Sequence, residues 1–169
     1  QPAEITIATE ITSDRDTDGS DDTVEATVEV TSSAFYEVLD IEVKAYDNNT
    51  LHDTMEFSLE AGNTVPPEFS NRTIWFTPPW DGDWTLHFTM RNQIGEIIDE
   101  ALTLPITLAN MAPVAEGGAS ANATQTWLPL QFFGAGYDLW GLGMTNQSFT
   151  HNETPVGYNW DFGDGSASS

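Results

Sequence analysis

The chain has 169 residues, with 27 acidic and only 4 basic side chains, so its formal net charge is −23. This charge argues against a nucleic-acid partner and against an anionic membrane surface, because both require clustered Lys and Arg. No apolar run approaches the roughly 20 residues that span a bilayer, so we expect no membrane insertion. The length suffices for one large domain, or for one complete β-sandwich and part of another.

Between residues 4 and 108 the chain alternates apolar and polar side chains with period two, which is typical of half-buried strands. The segment TVEATVEV shows this most clearly. About seven such strands are separated by Asp, Asn, Gly and Pro turns, which predicts an all-β chain beginning with an immunoglobulin-like β-sandwich over residues 1–109. The predicted inward residues are Val24, Ala26, Val28, Val30, Leu39, Ile41, Val43, Ala45, Met55, Phe57, Leu59, Trp84, Leu86, Phe88 and Met90.

An acidic loop, DRDTDGSDDTVE, follows the first predicted strand. Its spacing matches a calcium loop of the EF-hand type, with Gly19 at the sixth position for a sharp turn. Alternate carboxylates in a curled loop can converge on one hard cation. The predicted calcium ligands are Asp14, Asp16, Asp18, Asp22 (through water) and Glu25.

Two features of this acidic loop differ from an EF-hand. Its flanks are predicted strands rather than helices, and Asp21 occupies a place that usually holds an apolar residue. The alternative is a solvated acidic turn between strands. Five like charges within nine residues favour calcium, since they repel one another unless a cation neutralises them. We expect such an ion to stiffen the loop rather than to take part in catalysis.

Tryptophans Trp75, Trp80 and Trp84 fall within IWFTPPWDGDW. At strand spacing such residues usually pack in the core, but Trp80 lies in a predicted turn and is expected to be exposed, where it could contact a sugar. The histidines His52, His87 and His151 lack the spacing of zinc ligands, so we interpret them as surface or packing residues.

The last strand of the predicted sandwich contains Pro105, which removes one ladder donor and places that strand at an edge or a bulge. Beyond it the composition changes to small residues, Gly and Pro. Residues 110–169 contain five acidic and no basic side chains. We therefore expect a domain boundary near residue 110.

The chain closes with YNWDFGDGS, preceded by NMAPVAEGG and LQFFGAGYDLWG. Together these segments resemble the first part of a PKD domain, an immunoglobulin-like module common in secreted and surface proteins of archaea and bacteria. The resemblance covers residues 110–169, apart from an insertion at 142–155. The later strands of that family have no counterpart here, so we expect the parent protein to continue past Ser169. Because the chain begins with Gln1, we expect a mature form, an excised piece or a fragment.

Asp161 and Asp164 of this closing motif raise the question of an active site. Gly163 and Gly165 permit the positive φ of a tight turn, and Asp164 can accept backbone N–H bonds within it. In the PKD family the motif is structural. Both aspartates are therefore interpreted as turn residues, and no catalytic residue is predicted.

Five glycosylation sequons give weak support for an extracellular location. They begin at Asn48, Asn71, Asn122, Asn146 and Asn152. The absence of cysteine leaves the redox compartment undetermined.

The resemblance and the acidic loop together predict a non-catalytic spacer or adhesion module of a larger secreted or cell-surface protein, stiffened by Ca²⁺. Its partner would be a protein or polysaccharide at the cell exterior. The alternative is an accessory region of a secreted hydrolase that binds carbohydrate through its tryptophans. Neither a nucleophilic serine motif nor a phosphate-binding glycine motif is present in the sequence.

Overall fold

The computed structural model describes residues 2–119, 132–146, 148–153, 160–161 and 167–168. Nearly all regular structure in these residues is β-strand, which confirms the all-β prediction. The chain divides into two compact units. The first comprises Gln1–Met111 with Trp140–His151, and the second comprises Ala112–Leu139 with Asn152–Ser169.

The strands are numbered in chain order. They are β1 (Glu4–Ser13), β2 (Thr23–Thr31), β3 (Glu37–Asp47), β4 (Thr50–Ala61), β5 (Asn71–Thr77), β6 (Gly82–Arg91), β7 (Ile97–Leu102), β8 (Ile106–Leu108), β9 (Val114–Ala119), β10 (Phe132–Thr145), β11 (Ser148–Glu153), β12 (Trp160–Asp161) and β13 (Ala167–Ser168). A 3-10 turn, Pro67–Phe69, precedes β5.

Two antiparallel sheets enclose the core of the first unit. One has the order β1-β2-β5, continued by Gly141–Gly143 of β10, and the other has the order β4-β3-β6-β7, with β8 also paired to β6. Alternate side chains of both sheets form one buried cluster. The inward positions predicted on β2, β3 and β6 are all buried, and Leu59 of β4 is buried as well. Met55 and Phe57 are only partly buried and pack against the cluster.

The β3–β4 hairpin contains a β-bulge next to its turn. Its turn residues Asn48 and Asn49 have φ of 44° and 68°, as a tight two-residue hairpin requires. Beyond the turn the register shifts, because Tyr46 lies opposite Leu51 while Ala45 lies opposite Asp53. His52 is therefore the extra residue of a β-bulge, an irregularity that redirects side chains.

Pro105 separates β7 from β8, as the sequence predicts for a proline at a sheet edge. At this break Thr103 continues the hydrogen bonding to β6. Its backbone N–H donates to the Leu86 carbonyl at 3.0 Å, and its Oγ1 accepts from the Leu86 N–H at 2.9 Å. The threonine side chain thus satisfies a buried strand amide where the backbone pairing stops.

In the second unit, β9 pairs antiparallel with residues 132–137 of β10, and β12 pairs with β13. Asp161 lies on the two-residue strand β12, and Asp164 lies outside the described residues. The immunoglobulin-like identity of the first unit, the PKD-like identity of the second and the boundary at residue 109 stay predictions. Within the described parts of the chain, no helix has the length and apolar character needed to cross a membrane.

Candidate metal centre and the exposed tryptophan

Residues 14–22 of the acidic motif form the loop between β1 and β2, and the last three residues of the motif belong to β2. The facing ends of the two strands are Ser13 and Thr23. These nine residues are called the acidic loop from here on. The backbone reverses through two residues with positive φ, Thr17 at 65° and Gly19 at 98°. A hydrogen bond of 2.9 Å from the Asp22 N–H to the Ser13 carbonyl closes the base of the loop. The chain is thus curled back on itself, so that alternate side chains can converge.

Three of the five predicted ligands do converge. Asp14, Asp16 and Asp18 each offer one carboxylate oxygen, and these oxygens lie within 4.8 Å of one another. Because calcium binds oxygen at about 2.3–2.6 Å, two oxygens on one ion can be up to about 4.6–5.2 Å apart. The triad therefore has the dimensions and the hard-oxygen chemistry to hold a metal ion.

Backbone amides hold the Asp14 carboxylate in place. It accepts from the N–H groups of Thr17 at 2.7 Å, Asp18 at 3.2 Å and Gly19 at 2.8 Å. The Asp18 carboxylate in turn accepts from the Ser20 N–H at 2.8 Å. An ionised carboxylate has about four lone-pair sites, so these bonds are compatible with simultaneous cation binding.

The other two predicted ligands are not part of this group. The Asp22 side chain is buried, and its Oδ2 accepts from the N–H groups of Arg15 at 2.9 Å and Asp16 at 3.1 Å. Glu25 lies on β2, with Ile11 and Trp75 as its cross-strand neighbours. In the structure Asp22 anchors the base of the loop, and a ligand role for either residue stays a prediction.

The loop also contacts the segment that follows β8. The Asp21 carbonyl accepts a hydrogen bond of 2.8 Å from the N–H of Ala109, the residue after β8. The next N–H, that of Asn110, donates to Asp81 Oδ1 at 2.7 Å. A change in the order of the acidic loop would therefore be transmitted directly to the segment that leaves β8.

The three tryptophans differ in exposure. Trp84 is 0% exposed and packs against Phe76, with 5.1 Å between ring centroids, whereas Trp80 is 44% exposed. Trp75 is half-buried. Trp80 is thus exposed as the sequence predicts, at the same end of the sandwich as the acidic loop.

Three neighbours hold the indole of Trp80. Its Nε1 donates to Asp47 Oδ2 at 2.9 Å. The bulge residue His52 packs edge-on at 4.7 Å between ring centroids, and Trp84 lies 5.7 Å away. An exposed aromatic ring fixed in this way loses little conformational entropy when it binds a ligand. Sequence reasoning missed Asp47 and His52, since no motif reveals the bulge that brings His52 to Trp80.

The three histidines lie in separate surroundings. His87 Nε2 is 3.3 Å from Glu100 Oε1, and His151 stacks on Trp140 at 3.5 Å between ring centroids. None of them joins a group of metal-binding side chains within the described residues.

The sequons occupy varied positions. Asn48, Asn71 and Asn146 are exposed, which leaves room for a glycan, although Asn71 Nδ2 also donates to the Pro67 carbonyl at 2.9 Å. Asn122 lies outside the described residues. Asn152 lies on β11.

Compared with protein-family models and with curated proteins, the sequence matches no family model and no curated relative. The resemblance to the PKD family therefore stays a prediction.

Proposed function

We propose that the chain is a non-catalytic extracellular module of a larger secreted or cell-surface protein, serving as a spacer or in adhesion, and that Ca²⁺ bound at Asp14, Asp16 and Asp18 stiffens it. The observation that carries this proposal is the convergence of the three carboxylates within 4.8 Å on a loop that also bonds to Ala109, the residue after β8. An ion there would order both the loop and the segment after β8.

The strand order supports an immunoglobulin-like identity for the first unit. Strands β1, β2 and β5 share one sheet, while β3, β4, β6 and β7 share the other. The chain crosses between the sheets after β2, after β4 and after β5. Two packed antiparallel sheets with such crossings follow the general plan of immunoglobulin-like sandwiches, although β4 lies beside β3, whereas the constant-type domain places its fourth strand in the sheet of the first, second and fifth. Such sandwiches are common in cell-surface proteins, so this support rests on fold-level analogy.

The extracellular location is supported by the charge and by the exposed sequons. A net charge of −23 repels itself strongly, and cation-rich surroundings screen that repulsion. The sequon asparagines Asn48, Asn71 and Asn146 are exposed on the surface.

The experiment is thermal unfolding during a calcium titration, with the wild type, an Asp16→Asn/Asp18→Asn variant and a Glu10→Gln/Glu29→Gln control. The control removes the same two charges from exposed positions on β1 and β2. We expect calcium to raise the Tm of the wild type and the control, but not that of the loop variant. An equal rise in the Tm of all three proteins would show nonspecific charge screening. No rise in any Tm would contradict the calcium site.

A second candidate function, binding of carbohydrate as the accessory region of a secreted hydrolase, is favoured by one observation. Trp80 exposes 44% of its surface while three neighbours fix its ring. An exposed, immobilised indole is a suitable platform for the apolar face of a pyranose ring. Binding of a polysaccharide to the wild type but not to Trp80→Ala would support this function. This test does not depend on the calcium site.

A further inference from the structure

We propose that the surface formed by Trp80, Asp47 and His52, called here the Trp80 surface, binds an aminated polysaccharide, with a pyranose ring on the indole and a protonated amine on the Asp47 carboxylate. This inference rests on the second candidate function and names its ligand class. It requires two features of the ligand at once, an apolar ring face and a positive charge.

The geometry at Asp47 supplies the site for the amine. Its Oδ2 accepts the Trp80 Nε1–H at 2.9 Å, which places the carboxylate beside the ring. Its Oδ1 has no hydrogen-bond partner among the described residues, although the carboxylate is only partly exposed. A protonated amine could donate to that oxygen while the sugar ring lies on Trp80, and charge-assisted hydrogen bonds are the stronger kind.

The surrounding charge favours a cation. Asp81 and Asp83 flank the same turn and are exposed. Each is held by a hydrogen bond, from Asn110 N–H at 2.7 Å and from Thr107 Oγ1 at 2.6 Å. Three carboxylates thus lie at or beside the tryptophan, and their combined field attracts positive ligands and repels acidic polysaccharides.

Among the described residues, no Lys or Arg contacts this surface. The chain has only four basic residues, and all four have other contacts. Lys44 pairs with Glu42 at 2.8 Å, as does Arg91 at 4.0 Å, while the other two guanidinium groups lie over phenylalanine rings. The negative charge beside Trp80 is therefore left for a ligand to neutralise.

A cationic protein segment is the competing occupant, since a Lys side chain can also lie on an indole. The ring of Trp80 favours the sugar. Held by Asp47 and His52, it presents a flat platform, and such a platform suits a ring more than a flexible alkyl chain, which loses several rotamers on binding.

The test compares glucosamine oligosaccharides with N-acetylglucosamine oligosaccharides of the same length, in mildly acidic buffer where only the former are cationic. Binding is measured by calorimetry and by tryptophan fluorescence. We expect the glucosamine ligand to bind at least about tenfold tighter, from one charge-assisted hydrogen bond, and added salt to reduce that preference.

Three variants separate the contributions of ring and charge. Asp47→Asn keeps a side-chain carbonyl that can accept from Trp80 but removes the charge, so it should abolish the preference without abolishing binding. Trp80→Ala should abolish binding of both ligands. Phe35→Ala, which removes an aromatic ring 77% exposed at the opposite end of the sandwich, should change neither. The Tm of each variant shows whether it is folded.

The outcomes distinguish the inference from the function on which it rests. Equal, Trp80-dependent affinity for the two oligosaccharides would overturn the aminated ligand and leave carbohydrate binding in place. Binding of neither would overturn both. Trp80-dependent binding of poly-lysine without binding of glucosamine oligosaccharides would replace the sugar with a cationic protein segment.

Discussion

Asp53 on β4 accepts a hydrogen bond of 2.7 Å from the backbone N–H of Leu142, 89 positions later in the sequence. The Asp53 side chain is 9% exposed, and it also accepts from Thr150 Oγ1 and lies 3.5 Å from His151 Nε2. One carboxylate on an edge strand thus contacts residues of both β10 and β11 within the first unit.

Replacement of Asp53 by Ala should therefore destabilise the first unit. The Leu142 N–H would lose its acceptor at a fully buried residue, which costs about 1–3 kcal/mol in the free energy of unfolding. Urea denaturation measures this loss, and hydrogen exchange at Leu142 localises it. Asp40→Ala is the control, since within the described residues the Asp40 carboxylate accepts only from Ser58 Oγ, at an exposed site. A loss in the control as large as in Asp53→Ala would contradict the assignment.

Gly62 should tolerate an added methyl group poorly. Its φ is +132°, and an added Cβ would lie 2.7 Å from the Phe35 carbonyl oxygen and 2.9 Å from that of Ala34. Gly95 has a positive φ of +84° but nothing within 4 Å of an added Cβ. Gly95→Ala should cost about 1 kcal/mol from backbone strain alone, and Gly62→Ala clearly more. Chemical denaturation of both variants gives the difference, and equal losses would show that the backbone around Phe35 relaxes.

Thr103 should be more important to stability than its neighbour Thr107. Thr103→Val keeps the side-chain shape but leaves the buried Leu86 N–H without its Oγ1 acceptor, at a cost of about 1–3 kcal/mol. Thr107→Val removes an exposed hydrogen bond to Asp83 and should change stability by less than about 0.5 kcal/mol. The two urea midpoints test this ordering, which similar values would refute.

Because of the Lys44–Glu42 pair, the free energy of unfolding should fall as pH rises in the alkaline range. The hydrogen bond to Glu42, 2.8 Å long, raises the pKa of Lys44 above its ordinary value. A raised pKa means that the folded state holds the proton more tightly. The stabilisation is therefore complete below the unfolded pKa of about 10.4 and is lost as pH rises through the folded pKa.

The measurement is the free energy of unfolding of the wild type and of Glu42→Gln across that range. The gap between them should narrow as Lys44 deprotonates, because only the wild type loses the ion pair. The pair is half-buried near the surface, so the gap itself should stay below about 1 kcal/mol. A gap that is constant with pH would mean that Glu42 stabilises the fold by other contacts, such as that with Arg91.

Strands such as β2 could be predicted from sequence because they have one buried face. Apolar residues therefore recur at every second position, as at Val24, Ala26 and Val28. The convergence of Asp14, Asp16 and Asp18 was predictable for a similar reason, since a short loop with Gly19 keeps them close together. The attachment of residues 140–151 to the first unit was not anticipated. It depends on Asp53 and on strand pairing across about 65 positions, which no local pattern encodes.

Strand β4 lies at the edge of its sheet, and beyond Asp53, which contacts β10 and β11, no strand of the described residues pairs with its outer side, so a second chain could form a further strand there. Along this part of β4 lie Glu56 and Glu60; Glu42 of β3 lies opposite Glu56, and Asp40 lies opposite Ser58, between the two glutamates. Two copies approaching edge to edge would bring these carboxylates together. We therefore expect this negative charge to oppose self-association, and dissolved salt, by shortening the reach of the repulsion to about 8–10 Å, to weaken that effect.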